Sequence, residues 1–135
     1  MTSELSVAYR LRRHSSEISR ARELTRKALT DWALADHTDL AELIVSELAT
    51  NALRHGTGPI TVRLSYASDR DLWLEVHDHG RGCPVLQKAT ADDEQGRGLA
   101  LLDALMDLHS GIRGMVDDHS SPGKSIYVAL PPIAH

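Results

Sequence analysis

A single cysteine, Cys83, in 135 residues leaves no intrachain disulfide to form, which agrees with a reducing compartment. No stretch approaches the roughly 20 consecutive apolar residues needed to span a bilayer, and the N-terminus lacks the apolar run of a signal peptide. The expectation is a cytoplasmic protein with no membrane partner. Positive charge is not in excess: the net charge is -4, so nothing suggests direct binding to nucleic acid, although a basic protein partner stays compatible. Phenylalanine is absent and arginine greatly outnumbers lysine, and neither points to a function. Repeats, low-complexity tracts and linkers rich in Gly, Ser or Pro are also missing. With 41% hydrophobic and 25% charged residues, 1–135 reads as a single domain able to bury one core.

The elements come in mixed order. Ser6 to Arg12 reads as a short edge strand. Ser15 is placed to cap a helix over 16–33 with the stripe Ile18, Ala21, Ala28, Leu29 and Trp32. A second helix starts near Thr38 or Asp39, where Asp39 and Glu42 have capping-box spacing, and runs to His55 before Gly56-Thr57-Gly58-Pro59 stops it. Residues 60–66 and 72–76 alternate at period two and read as a hairpin. Gly80 to Gly98 is a long polar loop holding four of the nine glycines, followed by a third helix, Leu99 to Leu108. Two last strands, Gly111 to Asp118 and Ser125 to Leu130, flank a turn at 119–123. The sum is an α+β domain with a sheet covered on one face by helices.

Three polar insertions interrupt the apolar patterns. On a helical wheel, Leu40, Leu43, Ile44 and Leu48 form one face, with Glu47 and Asn51 in its middle, one turn apart. A buried carboxylate must meet something polar. A hydrogen-bonded pair that only fixes packing would answer that need, and so would a ligand. In the second hairpin strand, Leu72, Leu74 and Val76 share a phase that continues to Asp78, at the edge of His79-Gly80-Arg81-Gly82. A turn aspartate bonding its own loop is the ordinary account of such a residue; glycines that let a ligand approach the backbone are the functional one. The third insertion, Gln95-Gly96-Arg97-Gly98-Leu99, leads into an apolar helix whose free N–H groups suit an anion, though a flexible loop would look the same.

Taken in order, these segments resemble the histidine-kinase-like ATPases of the Bergerat (GHKL) fold, and among them the bacterial anti-sigma-factor serine/threonine-protein kinases. "ELIVSELATNALRHG" resembles the N box, "HDHGRG" the first glycine box, "GRGLALLDAL" the second and "GKSIYVALP" the closing strand. The resemblance covers about Asp39 to Pro131. It implies a two-layer α/β sandwich, with a mixed, mostly antiparallel sheet and helices on one face, that binds ATP with Mg²⁺. Asn51 would hold the metal, and Glu47 would be the catalytic base toward the attacking hydroxyl. Asp78 would accept a hydrogen bond from the adenine amino group, with Gly80 and Gly82 leaving room for the base. Gly96, Arg97, Gly98 and Leu99 would line the phosphates, Arg54 and His55 would reach phosphate or the loop over it, and Ser125 would support the adenine site. The implied partners are a sigma factor and an anti-sigma-factor antagonist, with homodimer formation open.

Some residues stand apart from that pattern. His77-x-His79 with Cys83 offers the donor types of a transition-metal site, against the plainer account of scattered surface or core histidines. Asp92-Asp93-Glu94 reads as a solvated run in the loop over the nucleotide. The arginines at 10, 12, 13, 20, 22 and 26 read as an exposed helix face, or as a dock for an acidic partner. Two functions follow. One is a kinase that phosphorylates an antagonist on serine or threonine and otherwise sequesters a sigma factor. The other is a nucleotide-gated binding module without transfer activity. The catalytic half of a split sensor kinase is a third reading, set lower because no separate helical hairpin with a phosphoacceptor histidine is found.

Overall fold

A computed structural model describes residues 4–67, 71–80, 112–117 and 123–130. The expected third helix, the glycines at 82, 96 and 98, and Cys83 lie outside the described residues. The elements are β1 (Glu4–Leu11), α1 (Glu17–Asp31), a 3-10 turn (Ala35–His37), α2 (Thr38–His55), β2 (Ile60–Ala67), β3 (Leu72–Asp78), β4 (Ile112–Asp117) and β5 (Lys124–Leu130). The five strands form one sheet in the order β1-β2-β3-β5-β4. Among the described residues every pairing is antiparallel, in line with the mostly antiparallel sheet expected.

Period-two alternation explains the sheet's two faces. Val62, Leu64, Leu74, Val76, Ile126 and Val128 are buried against the helices, while Arg63, Trp73, Glu75, His77, Ser125 and Tyr127 take the other phase. That outer face is tied by a polar network: Arg63 pairs with Glu75, Trp73 Nε1 donates to Glu75 Oε1, and Trp73 stacks on Tyr127 with centroids 4.3 Å apart.

The buried side of α2 is not centred where the large residues suggest. Ala41, Ile44, Val45, Leu48, Ala49 and Ala52 form the contact, and Leu40 and Leu43 are only partly buried. α2 packs on α1 as well as on β2 and β3, and small side chains let packed elements approach closely, so its buried face takes in the alanines ahead of the leucines at its flank. The correction moves Glu47 from the middle of the buried face to its margin, half-buried, while Asn51 is 3% exposed.

Both helix starts differ from expectation. Ser15 does not cap α1: Ser16 is the N-cap, without a side-chain cap bond, and its hydroxyl pairs with His14 Nδ1 instead. The capping box at Asp39 and Glu42 does not form either. The N-cap is His37, and both carboxylates face Arg26 of α1 as interhelix ion pairs.

The turn after α1 is a Schellman motif. Ala33 N–H donates to Thr30 O and Leu34 N–H to Leu29 O, with Ala33 at φ 59, a conformation that usually selects glycine.

Two polar groups join the N-terminal strand to α1. The Tyr9 hydroxyl bonds Ala21 O and Thr25 Oγ1, both at 3.1 Å, and burial pushes its pKa up to about 12. Glu17, 5% exposed, accepts the Arg12 N–H at 2.9 Å and faces the guanidinium groups of Arg12 and Arg20 at 3.4 Å. The Arg12 N–H is the chief cause holding this carboxyl below its ordinary range, against the opposing effect of desolvation.

The six arginines therefore do not form one free helix face. Arg12 and Arg20 hold Glu17, and Arg26 holds α2 to α1. Arg13 reaches across the chain to the end of α2. Only Arg10 and Arg22 make no side-chain bond among the described residues.

Candidate functional site

The end of α2 and the end of β3 come together through the segment between α2 and β2. His79 N–H donates to Thr57 O at 2.8 Å, which docks the start of the β3 loop on that segment. Glycine makes the approach possible. A side chain at Gly56 would land on the Asp78 carboxylate, and a Cβ at Gly80 would lie 2.8 Å from Asp78 Oδ1 and 2.9 Å from Gly56 Cα. On the other side stands Gly123, at φ +122, where a Cβ would strike the Asp78 carbonyl oxygen.

Asp78 sits inside this cradle, 2% exposed, in phase with Leu72, Leu74 and Val76 as the sequence predicts. Its Oδ1 accepts the Gly80 N–H at 2.6 Å. The register pairs Asp78 with Lys124, the first residue of β5, which is also 2% exposed. The Lys124 ammonium lies 3.8 Å from Asp78 Oδ1, too far for a hydrogen bond, and has no hydrogen-bond partner among the described residues.

Arg13 holds the last turn of α2 in place. Its guanidinium donates to the carbonyls of Ala52, Leu53, Gly56 and Gly58 at 2.7–3.2 Å. These include carbonyls that a helix C-terminus leaves without intrahelical partners. One turn and two turns inside that end are Asn51, buried, and Glu47, half-buried; Arg54 and His55 are exposed on the last turn.

The structure thus brings Asp78 and Gly80 to the end of α2, the helix that carries Glu47 and Asn51. It does not bring Ser125 there. The register puts Ser125 opposite His77 on the outer face, where its hydroxyl lies 3.0 Å from His77 Nδ1 and 3.4 Å from Glu75 Oε2. The residue beside Asp78 is its neighbour Lys124, because alternation sends successive side chains to opposite faces. His77 is likewise turned to Ser125 and meets His79 only ring edge to face, with centroids 5.8 Å apart. Gly82, Gly96, Arg97, Gly98 and Leu99 lie outside the described residues. Lys124, Gly56, Gly123 and Arg13 are the residues that sequence reasoning missed. For Lys124 a signal existed, since it stands in phase with Ile126, Val128 and Leu130.

Residues 7–121 match the family model of the histidine kinase-like ATPase domain. The chain belongs to that family. A sensor histidine kinase component, HK1, from Mycobacterium tuberculosis is 29% identical over 121 residues, covering 81% of this chain and 71% of that protein. For a histidine kinase-like ATPase domain the expected ligand is ATP, and the corner around Asp78 fits a nucleobase by its own chemistry: a buried carboxylate and an ammonium lacking hydrogen bonds, set among glycines. No helix among the described residues is long and apolar enough to cross a membrane.

Proposed function

We propose that this histidine kinase-like ATPase domain is a serine/threonine-protein kinase that acts as an anti-sigma regulatory factor. It would phosphorylate an anti-sigma-factor antagonist and sequester a sigma factor when the antagonist does not compete. The observation that carries the catalytic part is the order of polar groups on α2: half-buried Glu47, then buried Asn51 one turn later, on a helix whose end packs against Asp78. The partner assignment rests on the motif resemblance alone.

Asp78 would accept the adenine amino group, which fixes the base end of the nucleotide. Asn51 would hold Mg²⁺ through its amide oxygen. Phosphate oxygens and water would complete its coordination. The ion supplies charge neutralisation on the phosphates. Glu47, at the margin of the helix–sheet contact and accessible, would orient the attacking hydroxyl and take its proton; the rest of catalysis is positioning.

The likeness to a sensor histidine kinase component supports a second reading, in which the chain is the ATP-binding component of a sensor kinase and the phosphate goes to a histidine on another polypeptide. Labelled ATP with candidate antagonist proteins separates the two, because phosphoserine and phosphothreonine survive acid and phosphohistidine does not. An acid-stable label on an antagonist is the expected result, and an acid-labile label on a histidine-bearing partner overturns the serine/threonine assignment. Glu47→Ala should bind ATP as well as the parent and lose transfer by about a hundredfold or more. Equal transfer by the two proteins removes Glu47 from the role.

A further inference from the structure

We infer that Lys124 is a second base-reading residue, which works with Asp78 to recognise the amino group of a purine and the ring nitrogen beside it. The inference rests on the reading of the Asp78 corner as a nucleotide site, and goes beyond it by assigning a residue and a hydrogen-bond pattern.

Three observations carry it. Both side chains are 2% exposed, so neither is solvated in the ordinary way. The Asp78–Lys124 pair is incomplete: at 3.8 Å the charges attract, but the ammonium makes no hydrogen bond among the described residues. Retaining a buried ammonium with unmet donors is unfavourable unless another acceptor completes it. The carboxylate is also half used, since the Gly80 N–H occupies Oδ1 and no hydrogen bond to Oδ2 is formed among the described residues. What remains is an acceptor beside a donor, held on the same face of neighbouring strands by the Asp78–Lys124 register.

Adenine offers the complement. Its exocyclic amino group is a donor with a ring nitrogen acceptor next to it, N7 on one edge and N1 on the other. The Asp78 carboxylate accepts from the amino group while the Lys124 ammonium donates to the ring nitrogen. A hydrogen bond to a charged group that forms only with the right base discriminates well, because its absence leaves the ammonium unmet.

The test uses the intact protein and calorimetric affinity, with no activity readout. ATP is compared with its 1-deaza and 7-deaza analogues, which replace one ring nitrogen or the other by carbon. One of the two should bind about tenfold more weakly than ATP to the parent. That loss should disappear in Lys124→Met, which keeps an unbranched stem of similar length without the charge. Equal binding of ATP and both analogues by the parent overturns the inference and leaves the nucleotide site standing, as does a loss that persists in Lys124→Met. If Lys124→Met does not fold, Lys124→Thr supplies the second substitution, and a loss that persists in it overturns the inference in the same way. Failure of the parent to bind ATP at all overturns the reading of the site and the inference with it.

Discussion

Two buried carboxylates at different corners of the molecule differ in how fully the protein answers them. Glu17 is surrounded: a backbone N–H at 2.9 Å and two guanidinium groups at 3.4 Å close its hydrogen bonding from within the chain. Asp78 has one backbone N–H and a lysine that stands off at 3.8 Å. Both carboxylates are nearly out of contact with solvent and both pair acid with base. A buried charge closed by the protein serves structure, whereas one left open among the described residues suits the proposed ligand, and the count of completed hydrogen bonds separates the two better than burial does.

Asp78→Ala should have the largest effect. It leaves Lys124 as an uncompensated buried ammonium and should destabilise the fold by about 3 kcal/mol or more, read as a lower urea midpoint. Combining it with Lys124→Met should restore most of that loss without restoring ATP binding; a double variant as unstable as the single would break the contrast. Glu17→Gln should lower stability by less, with a particular pH signature. Its folded pKa lies below the ordinary 4.5, so the advantage of the parent is full above pH 4.5 and closes as the pH falls through the carboxylate range, measured by thermal melts. A difference that does not depend on pH removes the charge from the explanation.

Tyr9→Phe tests a neutral group closed in the same way. The expected cost is about 1 kcal/mol at neutral pH. Because burial raises the folded pKa from 10.0 to about 12, the parent loses stability as the pH rises through that window and the variant lacks this component. The smallest effect is a gain. Ala33→Gly relieves a left-handed alanine at an exposed turn and should stabilise by up to about 1 kcal/mol, since neither corner is touched.

Much of the fold was legible, for particular reasons. The phase of Leu72, Leu74 and Val76 carries on to Asp78, and β3 buries it as that phase requires. The helix over Thr38–His55 was clear because Gly56 and Pro59 stop it. Its contact face was misplaced because large residues were given more weight than Ala41, Ala49 and Ala52, although packing distance favours the small ones. Lys124 escaped notice because a lysine at a strand start reads as solvent-facing; only the β3–β5 register sets it against Asp78. Arg13 was beyond local pattern altogether, since its acceptors lie about 40 residues along the chain.

The grip of Arg13 on α2 has an electrostatic consequence. A helix ends with roughly half a negative charge on its outermost carbonyls, and α2 ends next to the buried Asp78. Left bare, that end would add its field to the carboxylate and repel any polyanion nearby. The guanidinium takes two of these oxygens, those of Ala52 and Leu53, together with the carbonyls of Gly56 and Gly58 just beyond, so a permanent cation from outside the helix opposes that field and would ease the approach of a ligand as negative as the proposed ATP.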